Sequence, residues 1–275
     1  MSSTPSTPER LPERPRPEHY QLHVRVDPRR KPFGGEVAIA LADTAGLREI
    51  ELHAVGLELD AVEVHTAQGS AAVAGVTLVP ERERAVVRLA EELREPRAEL
   101  RIRFRGALRD DLRGLYHAKS GKRHYAVTQF EAADARRFFP CFDEPDRKAR
   151  FQLSVSAPAG LQAISNAPVR RRARKGALET THFAETPPLS TYLVALIVGE
   201  LEGSRARLAG QTPIRVWAVP GRKAQMAFGL EAAVEALTRL ERYFGLPYPY
   251  EKLDLIAVPD FEFGAMENAG AVTFR

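Results

Sequence analysis

Cysteine is almost missing from this chain of 275 residues, and the one present, Cys141, cannot form an internal disulfide. Nothing therefore requires an oxidising compartment, and a cytoplasmic location is expected. Long apolar runs are missing too. The longest, residues 192–198, has seven residues, far short of the ~20 that a bilayer-spanning helix needs. Residues 1–18 hold five prolines and no apolar run, so no signal peptide is expected there, only a disordered tail. Charge of one sign is not in large excess either. The 40 Lys and Arg against 36 Asp and Glu leave +4, a solubility balance rather than a nucleic-acid footprint. Neither a nucleic acid nor a membrane is expected as a partner.

What is present is alternation. Tyr20, Leu22, Val24 and Val26 alternate with polar residues at the period of a half-buried strand, and Val37, Ile39 and Leu41 repeat it after a proline-containing turn, which predicts a hairpin. Similar short segments follow at Ile50 and Leu52, at Val62 and Val64, from Val76 to Leu89, and at Leu100, Ile102 and Phe104. Arg101, Arg103 and Arg105 read as a solvated sheet face, and the five basic residues among positions 170–175 as an exposed hairpin tip. In the extended stretch 124–131, Gln129 and Glu131 point the same way as Tyr125 and Val127. A loop-like, aromatic-rich segment, 132–145, comes next, then further strands, with 191–199 apolar enough to be buried on both faces.

Past residue 202 the texture changes. Residues 213–219 predict a strand, 222–244 a long helix, and 253–258 a strand. Met226, Leu230, Ala233, Leu237, Leu240 and Phe244 form one apolar helical stripe, and Gly245 suits the position just past the helix end. The fold class is mainly β, with a disordered tail at 1–18, an N-terminal β domain at 19–202, and the first strand-helix-strand part of an α+β domain at 203–275.

The candidate chemistry lies at the end of the chain. Gly264 and Ala265 are too small to fend off another backbone, so an extended peptide can pair along this edge, and Glu267 supplies a negative charge. The histidines are scattered. Their one i, i+4 pair, His19 and His23, sits on a strand with Tyr20 where a zinc-peptidase helix needs Glu, so no metal site is expected in this chain. Cys141, between Pro140 and Phe142, reads as a buried thiol.

The run Gly264-Ala265-Met266-Glu267-Asn268 closely resembles the exopeptidase motif of the aminopeptidase N family of zinc metallopeptidases. So does the stretch Thr128-Gln129-Phe130-Glu131, continuing through Asp134-Ala135-Arg136-Arg137 to Pro140-Cys141-Phe142-Asp143-Glu144-Pro145. Further matches at 17–20, 243–250 and 258–261 extend the resemblance over about residues 17–275, in the family's order.

The resemblance implies a saddle-like or sandwich β domain followed by the start of a thermolysin-like catalytic domain, and removal of single residues from peptide N-termini. It implies substrate binding by Gln129, Glu131, Gly264, Ala265, Met266, Glu267 and Asn268. Glu131 and Glu267 would hold the substrate ammonium between two carboxylates in a partly desolvated pocket. Met266 would line the first side-chain pocket, and Asn268 would brace its own loop. Zinc, the general base and an oxyanion-stabilising tyrosine would come from the remainder of the catalytic domain, on the same or a separate polypeptide, so that this chain alone is expected to be inactive. The alternatives are a catalytically inactive interaction scaffold and an epoxide-hydrolysing relative. The latter is expected to carry Gly where this chain has Ala265.

Overall fold

The computed structural model describes residues 10–275, which are arranged in four layers. The outermost is an eight-stranded sheet. In spatial order it runs Val169–Lys175, Leu178–Glu185, Arg150–Pro158, Arg16–Arg25, Pro32–Ala42, Arg97–Ala107, Glu58–Thr66 and Gly69–Ala71. The predicted first hairpin is there, with Tyr20 opposite Ile39 and Leu22 opposite Val37. Alternation sends Tyr20, Leu22, Val24, Val37, Ile39, Leu100, Ile102 and Phe104 into the core, while the solvated face keeps Arg101 on Glu99 and Arg105 on Asp60.

Beneath it lie a three-stranded sheet and a four-stranded sheet. The latter is ordered Gln162–Ser165, Leu196–Gly199, Arg123–Gln129 and Gly114–Ser120. This sheet is covered on both faces. Ala126, Leu196 and Val198 join the main core, while Tyr125, Val127 and Ile197 turn the other way, onto the next layer. That third layer is a mixed sheet that begins at Glu202–Gly203 and contains Thr212–Ala218, Leu253–Ala257 and Ala271–Phe274, with Ala265–Met266 at its edge. The helix Lys223–Phe244 covers its far face, burying Met226, Leu230, Ala233 and Leu237.

Several expectations are corrected. The predicted tail at 1–18 falls in part outside the described residues, but residues 10–18 are packed. Leu11 is buried with its N–H on Glu144, the Arg147 guanidinium binds the Pro12 and Glu13 carbonyls, and a strand starts at Arg16. Prolines lower the entropy lost on ordering, and one leucine with buried cationic and anionic partners is enough to seat the segment. Residues 191–199 do not form one strand. Thr191–Leu193 is a 3-10 turn, its Thr191 hydroxyl bonded to Asp143 at 2.5 Å, and only Leu196–Gly199 is extended.

The basic run is not just a hairpin tip. Val169–Lys175 is a complete, exposed edge strand of the large sheet, where a row of cations discourages pairing with another chain. The helical stripe overshoots its support. Twenty-two residues make about 33 Å of helix, whereas the seven-residue strand beneath spans about 23 Å, so Leu240 and Phe244 are exposed.

Candidate functional site

Strand Arg123–Gln129 ends at the boundary between the second and third layers. Its last residue, Gln129, is buried, and its side-chain amide donates to the Met266 sulfur at 3.4 Å. Two segments separated by 137 positions meet at this contact. Gln129 Oε1 is buried without a hydrogen-bond partner among the described residues. Glu131 lies beyond the strand and is exposed, and the peptide bond after it is cis.

The segment behind Glu131 is not a surface loop. Phe130, Phe138, Phe139 and Phe142 are all buried, with Phe130 stacked on Phe138 at 5.6 Å. Arg136 bonds Asp143 at 2.9 Å and Glu83 at 2.8 Å, and the Asp143 N–H donates to His53 Nδ1. Burial, followed by Arg136 and then Arg84, lowers the pKa of His53 to about 3, which keeps Nδ1 free to accept. Cys141 lies in the same core, where desolvation raises its thiol pKa well above the ordinary value.

The second half of the site is the sheet edge. Ala265 and Met266 pair antiparallel with Phe274 and Thr273, and the Arg275 N–H donates to the Gly264 carbonyl. Their other edge has no strand partner among the described residues, and Gly264, Ala265 and Glu267 are exposed. Met266, at 1% exposure, packs with Tyr116, Val127 and Phe261. In this chain its thioether is a core group rather than the lining of an open pocket. Asn268 is buried too, its amide donating to Thr273 Oγ1 at 3.4 Å and its carbonyl accepting from the Ala271 N–H. The partly desolvated pocket expected around Glu131 and Glu267 is not formed by these residues alone, since both carboxylates face solvent.

Nothing in the sequence singles out Asn166, yet it ties this turn to the second layer. Its Nδ2 donates to Ala269 O at 2.9 Å and Leu193 O at 2.7 Å, and its Oδ1 accepts from the Ala195 N–H at 2.9 Å. The only signal was a polar side chain just after an apolar strand. Gly270 completes the turn at φ 68°, and a Cβ there would lie 2.4 Å from the Asn166 carbonyl oxygen. Among the described residues no group of three or more His, Cys, Asp or Glu side chains is placed to hold a metal ion. Nor is any helix among them long and apolar enough to cross a membrane.

Residues 16–193 match the Peptidase M1 N-terminal domain, and residues 228–275 match the Peptidase family M1 domain. The chain belongs to the peptidase M1 family. This M1 chain is 41% identical to aminopeptidase M1-A of Oryza sativa subsp. japonica over 97% of its own length and 31% of the relative's. It is 34% identical to the puromycin-sensitive aminopeptidase of Caenorhabditis elegans (97% and 29%), and 36% identical to aminopeptidase 2, mitochondrial, of Saccharomyces cerevisiae (100% and 29%). The M1 chain thus spans about three-tenths of the length of these curated relatives.

Proposed function

We propose that this chain is the amino-end recognition part of a zinc aminopeptidase that removes single residues from peptide N-termini in the cytoplasm. The carrying observation is the Gln129–Met266 contact, which brings the two motif segments to one place beside an unpaired sheet edge. A substrate's extended backbone pairs with the Gly264–Ala265 edge as an added strand, and Gln129 binds substrate backbone once the packing over its Oε1 opens. Glu131 and Glu267 take the ammonium through charge-assisted hydrogen bonds, which excludes peptides with a blocked N-terminus. Met266 seats Gln129, and Asn268 braces the turn.

The division between the two parts falls near residue 202. Zinc, the base that activates water and the oxyanion-stabilising tyrosine come from residues outside this chain, in the remainder of the catalytic domain. That remainder also covers Glu131 and Glu267 and desolvates them, and it covers the apolar side chains left bare at the helix end, Leu240, Tyr243, Phe244 and Leu246. This chain alone is inactive.

An NMR titration of the chain with Leu-Gly-Gly and with N-acetyl-Leu-Gly-Gly tests this. The free amine is expected to bind more tightly, with shifts centred on residues 264–268, and Glu267→Gln to remove the difference. Shifts centred away from residues 264–268 with both peptides would sink the reading.

A further inference from the structure

Away from the Gln129–Met266 junction, the second and third layers part to leave a crevice of about 330 Å³, lined by neither Glu131 nor any of residues 264–268. One wall is apolar, with Ile164 and Phe183 from the β layers. The other is the face of strand Thr212–Ala218 opposite the helix. Ile214, Val216 and Ala218 pack with the helix, so alternation aims Pro213, Arg215 and Trp217 into the crevice. Pockets of this size between layers, apolar with a few converging polar groups, are the usual form of small-ligand sites.

The charges around it pair off and leave one over. Lys252 bonds Asp254 at 2.7 Å, and Asp254 also accepts from the Trp217 indole at 2.9 Å. Glu251 pairs with Arg170 at 3.2 Å, and Arg172 reaches Glu179 at 3.7 Å. The Arg215 guanidinium makes no hydrogen bond or ion pair among the described residues, although the residue stands opposite Asp254 in the sheet. Both Asp254 oxygens are already taken, by Lys252 and by the indole. A guanidinium without a partner at the mouth of an apolar crevice is complementary to a single carboxylate carried on an apolar body.

We infer that this crevice binds a small amphipathic monocarboxylate, its carboxylate on Arg215 and its apolar part against Trp217, Ile164 and Phe183. The site is separate from the peptide edge, but a single side chain connects them. Lys252 also donates to the Gly270 carbonyl at 2.7 Å, in the turn that follows Asn268.

Trp217 is the only tryptophan of the chain, so its fluorescence reports on the crevice directly. The probe is 4-phenylbutanoate, with 4-phenylbutan-1-ol and 4-phenylbutylamine as neutral and cationic counterparts. A saturable change is expected with the carboxylate in the low-millimolar range or below. Arg215→Gln is expected to weaken carboxylate binding at least tenfold and to leave the alcohol unaffected, the loss of about one charged hydrogen bond. Arg215 is exposed, so both variants are expected to keep the wild-type circular dichroism. Arg215→Glu is expected to exchange the preference, binding the amine over the carboxylate, an outcome that misfolding cannot produce. No saturable response to the carboxylate, equal affinity for it in wild type and Arg215→Gln, or tighter binding of the amine by wild type would each overturn the inference.

Discussion

The amide of Gln129 donates to the sulfur of Met266 at 3.4 Å, and this contact joins a strand of the β layers to the edge of the last sheet. The sulfur is a weak acceptor, so most of what Met266 contributes is packing among Tyr116, Val127 and Phe261. Met266→Leu keeps the volume and is expected to cost less than about 1.5 kcal/mol, whereas Met266→Ala opens a cavity and is expected to cost about 2–5 kcal/mol. Urea denaturation of the two variants checks this. Equal losses would mean that the junction depends on the sulfur and not on packing.

Gly270 is required by space as well as by φ. Gly270→Ala is expected to destabilise by at least about 2 kcal/mol, because left-handed strain adds to a collision with the Asn166 carbonyl. Gly46, at φ 80° and with open space around it where an added Cβ would meet nothing within 4 Å, is the control, and Gly46→Ala is expected to cost only about 1 kcal/mol. Thermal denaturation of both gives the difference.

Asn166→Ala leaves the Leu193 and Ala269 carbonyls and the Ala195 N–H without their partner in a buried setting. The expected cost is about 2–4 kcal/mol. Hydrogen exchange should show faster exchange at Ala271, whose N–H closes the turn onto Asn268. Unchanged protection there would separate Asn166 from the sheet edge.

His53 sets an acid dependence. Its folded pKa is lowered to about 3 from 6.5, so below 6.5 the unfolded chain takes up a proton that the native state refuses. Its contribution is complete above pH 6.5 and is lost as pH falls toward 3, with a slope of at most about 1.4 kcal/mol per pH unit. His23, His117 and His182 shift in the same direction, so the wild-type slope includes them. His53→Asn keeps an acceptor for the Asp143 N–H and removes the titration. Urea midpoints at pH 7 and pH 5 are expected to differ less in the variant than in the wild type.

The proposed ammonium clamp is tested in an active aminopeptidase preparation that contains this chain. Glu131→Gln and Glu267→Gln are each expected to lower kcat/KM on an aminoacyl-arylamide by at least about tenfold, since under the proposed function each removes a charged partner of the ammonium. An unaltered kcat/KM in either variant would remove that residue from the site.

Much of the fold was legible because strands write their exposure as a two-residue period. Tyr20, Leu22 and Val24 against Val37, Ile39 and Leu41 give the first hairpin, and Met226 to Leu237 give the helix face. The aromatic segment 132–145 was not legible as core, since it has no period. It is buried by phenylalanine stacking and by the Arg136–Asp143 pair, whose partner His53 lies about 90 positions earlier. The exposure of Leu240 and Phe244 was equally hidden, because a helical stripe records what faces inward but not how far the supporting sheet extends.

For the site, the sequence by itself determined which residues are candidates: Gln129 at the end of a strand with Glu131 two residues on, and small residues followed by Glu267 at a second segment. Only the tertiary structure decided that these segments meet, that Met266 belongs to a core, and that Asn166 and Gly270 hold the turn between them. The physical reason is range. Strand period and residue size are local properties written into neighbouring positions, whereas the packing of the second layer on the third depends on groups more than a hundred positions apart, with no local signature of their pairing.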